Sequence, residues 1–187
     1  MKMNTRKLVT TGMLTGITVF LGLTGLGFIQ IPPVKATIMH IPVIIGAIIE
    51  GPVVGASVGL CFGLFSMYQN FTAPGPTSFI FWNPIIAILP RVLIGLVSYY
   101  VYALLKSRLP KISIGIAAIA GTLTNTFLVL GLTYIIYAAR FAQTIKVDAS
   151  LVGKTIATIG VVNGIPEALI SAFIVIPVVT ALKKIRL

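Results

Sequence analysis

TIMHIPVIIGAIIEGPVVGASVGLCFGLFS, residues 37–66, is the stretch that decides the fold. Two apolar runs flank a tight Glu50-Gly51-Pro52 turn. As a helix, the first run (38–49) rises only roughly 18 Å, short of a hydrocarbon core of roughly 30 Å. The second run (53–68) carries Gly55, Gly59 and Gly63 at four-residue spacing. On a helix those glycines form one smooth face that another backbone can approach closely. The stretch therefore reads as a bent, tightly packed membrane hairpin with a short second helix.

Composition points the same way. Of 187 residues, 57% are hydrophobic and only 9% charged, against roughly a quarter charged in a soluble domain. The net charge of +11 comes from 14 Lys and Arg against three acids. The basic residues gather at the ends of apolar runs, which favours loops held on the cytoplasmic side of a bilayer over nucleic-acid binding. The single cysteine, Cys61, allows no intrachain disulfide and fills space in an apolar helix. Residues 1–28 mimic a signal peptide, with Lys2, Arg6 and Lys7 before an apolar run, but no A-x-A site follows. They are expected to remain as the first span.

Working outward, helices are expected at about 6–28, 38–49, 53–68, 84–105, 112–139 and 155–182. Residues 30–35 read as a Pro-containing loop and 140–154 as a polar connection. Asn83 is placed to cap the fourth helix, with Pro84 at its first position. The uncharged loop 70–83 has apolar weight from Phe71, Phe79, Phe81 and Trp82; it is either an interfacial anchor or a lid over a ligand. Six spans put both termini on one side. Lys2, Arg6, Lys7, Lys106, Arg108, Lys111, Lys183, Lys184 and Arg186 fall there, against Lys35, Arg140, Lys146 and Lys154 opposite. The positive-inside rule makes the terminal side cytoplasmic. The expected fold is thus an all-α membrane protein, one domain over residues 1–187, with six transmembrane helices and cytoplasmic N and C termini.

Ionisable groups inside a bilayer are costly and usually face protein or water. Arg91 lies about two turns into the fourth helix. It is either paired with a carbonyl or Glu167, or an anchor for a ligand carboxylate, which a planar guanidinium suits. Asn163 and Glu167, four apart, share a face of the sixth helix. Asn125 sits mid-way along the fifth, as a helix-to-helix hydrogen bonder or a pocket group. With Arg91 these would make a polar pocket inside an apolar bundle, the general form of a small-molecule site. His40, the only histidine, lacks the partners of a metal site; it is a hydrogen-bonded structural residue or lines the pocket. Gly12 and Gly16 form a G-x-x-x-G on the first helix, for internal packing or for docking. No P-loop, G-x-S-x-G or H-E-x-x-H occurs, and Glu50 and Asp148 fall on opposite sides of the membrane. No enzyme, metal or cofactor is expected, and active transport would draw its energy from a partner or an ion gradient.

The short helix H-I-P-V-I-I-G-A, the E-G-P turn and the glycine-ridged third helix resemble the substrate-binding S component of an energy-coupling factor (ECF) vitamin transporter. The resemblance extends over nearly the whole chain in helix count and polar-residue placement. It implies a small water-soluble vitamin as ligand, with a transmembrane coupling subunit and two cytoplasmic ATP-binding subunits as partners, in a bacterial plasma membrane. It also implies docking through small residues of helices 1–3, here Gly12, Gly16, Gly55 and Gly59. The ligand would be held by Arg91, Asn125, Asn163 and Glu167, joined by His40, Trp82 and Asn83 from the outer ends. Pantothenate-type and pyridoxine/hydroxymethylpyrimidine-type members look most similar. An outward excess of positive charge together with Arg91 favours an anion, hence pantothenate. A self-sufficient secondary carrier, which would need a coupling-ion path through the lone Glu167, and a membrane scaffold are the readings of other classes.

Overall fold

A computed structural model describes residues 4–31 and 34–185, the side chains of 29–31 and 34–36 excepted. Lys2 and Arg186, the Pro32-Pro33 pair and the Lys35 side chain therefore lie outside the described residues. Six helices follow one another: α1 (Thr5–Thr24), α2 (Ile41–Glu50), α3 (Pro52–Thr72), α4 (Pro84–Leu105), α5 (Ser113–Ile145) and α6 (Val152–Ile185). All but α2 are long and apolar enough to cross a membrane. Phe173, Ile135 and Leu104 are among the many large apolar side chains left exposed on their outer faces, as a bilayer solvent requires. The all-α expectation holds, with one addition at 28–37. Two four-residue strands, β1 (Phe28–Ile31) and β2 (Val34–Thr37), pair antiparallel with Phe28 opposite Thr37. Their ladder satisfies backbone groups that a loop would leave open.

The short helix α2 is the centre of the protein. Eight of its ten residues, Ile41 to Ile48, are buried. Around them pack Val54, Val58 and Phe62 of α3, Ile94 of α4, Ala117 and Ala118 of α5, and Val175 and Val179 of α6. The chain then reverses at Gly51, whose φ of 104° suits glycine, and Pro52 opens α3.

The glycine face of α3 meets α4. A Cβ on Gly59 would strike the backbone carbonyl of Arg91, and one on Gly63 would lie 2.8 Å from the carbonyl oxygen of Ala87. Gly95 of α4 faces the Gly55 backbone in return. Gly55 and Gly59 are thus buried in this crossing and present no outer surface, so the expected docking role gives way to internal packing. Gly12 and Gly16 differ: nothing lies within 4 Å of a Cβ added to either.

Asn83 caps α4 as expected, its side-chain oxygen accepting from the Ile85 amide at 3.0 Å. Helix α5 runs past the expected end near 139 and bends at Tyr137, where φ and ψ leave the helical region. Asp148 opens a 3₁₀ turn (Ala149–Leu151) that leads into α6. Hydrogen bonds from the Ser150 amide and hydroxyl hold its carboxyl below the usual range.

The packing contrast is directly measurable. Gly59→Ala forces backbone apart at the α3–α4 crossing and should cost about 1–3 kcal/mol. Gly12→Ala should cost nothing in the isolated protein. Thermal unfolding of the two variants in one detergent checks this; equal midpoints would contradict the crossing.

Candidate functional site

At the hairpin end of the bundle, α3 to α6 and the 28–37 hairpin enclose a cavity of about 720 Å³. That lies in the range of roughly 300–1,000 Å³ typical of small-molecule sites. Apolar surface comes from Met39, Phe62, Val129, Leu130 and Ile159, and polar groups from all four helices.

Arg91 is the cationic residue of the lining. Its side chain is 6% exposed. One terminal nitrogen donates to the Ile86 carbonyl at 2.9 Å. The guanidinium carbon lies 5.5 Å from the ring centroid of Phe62 and 5.0 Å from that of Phe81. Two rings therefore cover the cation, an arrangement worth more where water is excluded. Its Nε has no hydrogen-bond partner, and among the described residues no carboxylate lies within ion-pair distance. The pairing with Glu167 allowed for by the sequence is not formed. Glu167 instead accepts from the Thr37 amide at 2.8 Å, tying the end of β2 to α6.

Asn125 and Asn163 line the same cavity, and the Asn125 side-chain oxygen is buried without a partner. Four of the seven expected ligand residues, Arg91, Asn125, Asn163 and Glu167, are thus brought together. The other three stand outside the lining. His40 is fully buried at the start of α2, its Nε2 2.9 Å from the Thr122 hydroxyl and its Nδ1 without a partner. Asn83 is committed to its cap and to the Tyr137 hydroxyl at 3.5 Å. Trp82 stacks on Phe71 with centroids 5.7 Å apart and donates to the Asn70 carbonyl.

Gln69, Asn70, Ser66, Ser78 and Thr126 also line the cavity and were not singled out in the sequence. A signal existed: Ser66, Gln69 and Asn70 share one side of the last turns of α3, where the glycine face stops. Two of the lining residues also hold structure in place. Gln69 donates to the Gly22 carbonyl of α1 at 3.1 Å, and Asn70 to the Ser66 carbonyl at 2.8 Å.

The arrangement holds a cation with no ion-pair partner among the described residues at the edge of a cavity whose walls carry amides, hydroxyls, apolar side chains and the Glu167 carboxylate. That suits a small, mostly neutral molecule carrying one anionic group. Residues 6–179 match the family model described as ECF transporter, substrate-specific component. The pantothenic acid transporter PanT of Lactococcus lactis subsp. cremoris is 38% identical, the match covering 82% of this chain and 81% of that protein. The pantothenate transporter PanT of Leuconostoc mesenteroides subsp. mesenteroides is 38% identical over 38% of each chain.

The Glu167–Thr37 bond predicts a graded response. Glu167→Gln keeps an oxygen acceptor and should leave the hairpin closed. Glu167→Leu removes it, and amide exchange at Thr37 should rise about tenfold, the loss of one hydrogen bond to a charged group. Hydrogen–deuterium exchange read by mass spectrometry distinguishes the two; equal protection in both variants would remove the tie.

Proposed function

The chain belongs to the substrate-specific components of ECF transporters, and from that premise we propose that its cavity binds pantothenate, with the carboxylate at Arg91. As a family member it is a multi-pass cell-membrane protein of a vitamin transporter, which sets aside the self-sufficient carrier and the scaffold. The observation that carries the ligand assignment is the buried guanidinium with an unbonded Nε and no carboxylate within ion-pair distance among the described residues. A buried charge without a partner is costly, and a carboxylate supplies one in the planar geometry that Arg favours. The relatives named for pantothenate support the same ligand.

Pantothenate is an acid at one end, with an amide, two hydroxyls and a geminal dimethyl group along its length. Asn125, Asn163 and the amide of Gln69 offer donors and acceptors for the middle, and Phe62, Val129 and Leu130 offer apolar contact. Glu167 serves the site through the hairpin. The cavity faces outward if the basic termini face the cytoplasm, so capture occurs outside. Release inward is driven by a transmembrane coupling subunit and two ATP-binding subunits, met in part through the open face of Gly12 and Gly16.

Pantothenate and its uncharged alcohol analogue, pantothenol, separate this reading from a neutral-vitamin one. The detergent-purified protein should bind pantothenate tightly and pantothenol at least tenfold more weakly, the worth of a charge-assisted hydrogen bond. Arg91→Ala should erase the difference. Equal binding of acid and alcohol by the wild type, or preferential binding of pyridoxine, would overturn the assignment. Mass spectrometry of small molecules released from the purified protein gives the ligand independently.

A further inference from the structure

We infer that Asn70 and Ser78 are positioning residues for the Arg91 anion anchor, acting through Phe81. The inference rests on the proposed carboxylate site at Arg91 and concerns what holds that site in shape. The segment between α3 and α4 is uncharged and carries Pro74, Gly75 and Pro76, so little local propensity fixes it. It is fixed by a small hydrogen-bond node instead. The Ser78 hydroxyl donates to the Asn70 side-chain oxygen at 2.6 Å and accepts from the Gly75 amide at 2.8 Å. The Asn70 side-chain nitrogen donates to the Ser66 carbonyl, and the Asn70 carbonyl accepts from the Trp82 indole at 3.0 Å. Both side-chain ends and the main chain of Asn70 are thereby committed, and Ser78 is 5% exposed.

The node reaches the anchor in two steps. The Phe81 amide donates to the Ser78 carbonyl at 3.0 Å, closing the 3₁₀ turn Ser78–Ile80. The Phe81 ring then covers the Arg91 guanidinium from the loop side while Phe62 covers it from α3. Phe62 is set by a rigid helix, whereas Phe81 is set by the loop backbone and by packing against the cluster of Phe79, Ile80, Ile86 and Phe141. With both rings in place water is kept from the cation, and its interaction with an anion strengthens. With Phe81 displaced, the guanidinium gains water and rotational freedom, and its preference for a carboxylate over a neutral group falls. The node therefore sets specificity as well as affinity.

The rival account is that Phe79 and Ile80, buried against Ile86 and Phe141, hold the loop by themselves. Ser78→Ala decides between them, with Ser78→Thr keeping the hydroxyl and Phe81→Leu removing the ring. The measurements are pantothenate association and dissociation rates, the pantothenate-to-pantothenol affinity ratio, and the emission of Trp82, the only tryptophan. In Ser78→Ala, dissociation should quicken about fivefold to tenfold for the lost hydrogen bonds, with association little changed. The affinity ratio should fall by a similar factor and the Trp82 emission should shift to the red. Ser78→Thr should restore all three, and Phe81→Leu should reproduce the fall in ratio without the emission shift. Unchanged rates and ratio in both Ser78→Ala and Phe81→Leu would overturn the node while leaving the carboxylate site intact. A wild-type protein that does not prefer pantothenate to pantothenol would overturn both.

Discussion

Gly59 rests against the backbone carbonyl of Arg91, and most of the site follows from that contact. Helices in a bilayer gain no hydrophobic drive from meeting each other, so close van der Waals approach has to supply the association. Three glycines on α3 and Gly95 on α4 allow it. The crossing fixes the height and rotation of α4. That rotation turns Arg91 inward, between the rings of Phe62 and Phe81, rather than toward lipid. A residue as expensive as arginine in a bilayer is tolerable because its backbone is locked and its flanks are aromatic.

The buried short helix α2 supplies the second constraint. Its ten residues occupy only part of the depth of the bundle, so the space above it must be closed by something else. The 28–37 hairpin and the lining polar groups do so, and the cavity is the room that remains. Some polar groups outside the lining are paired locally: Nε2 of His40 with the Thr122 hydroxyl, and Thr122 with the Ala118 carbonyl of its own helix. Buried polar atoms with no protein partner occur at the cavity wall, on Arg91 and Asn125, and elsewhere in the bundle, on Nδ1 of His40 and the hydroxyls of Thr15, Ser98 and Ser171.

Much of this was legible in residues. The spacing of Gly55, Gly59 and Gly63 announced a backbone contact, although not that α4 rather than a partner would fill it; a small-residue stripe says that something comes close without saying what. Arg91, Asn125, Asn163 and Glu167 stood out because a polar side chain in an apolar helix is conspicuous. Gln69, Asn70 and Ser78 did not, because they lie where a helix leaves the apolar region and polarity is ordinary. The hairpin was hidden by Pro32-Pro33, which reads as a breaker, and four-residue strands are too short for alternation to show. Helix α5 outran its expected end because hydropathy falls at Arg140 while backbone hydrogen bonding continues to Ile145. Trp82 and Asn83 belong to the loop and cap that frame the cavity, a distinction of a few ångströms that sequence does not carry.

Helix α1 is the least embedded of the spans, with Thr18 and Gly22 its buried residues. At one end it is joined to the α2–α3 turn by Arg6 and Glu50, 3.5 Å apart. Toward the other, its Gly22 carbonyl accepts from Gln69, and Gln69 is part of the cavity wall. The outermost helix and the binding chamber thus share one amide side chain. A sideways pull on α1 must either break that bond or drag Gln69 with it, so the helix is mechanically a handle whose displacement is felt inside the chamber.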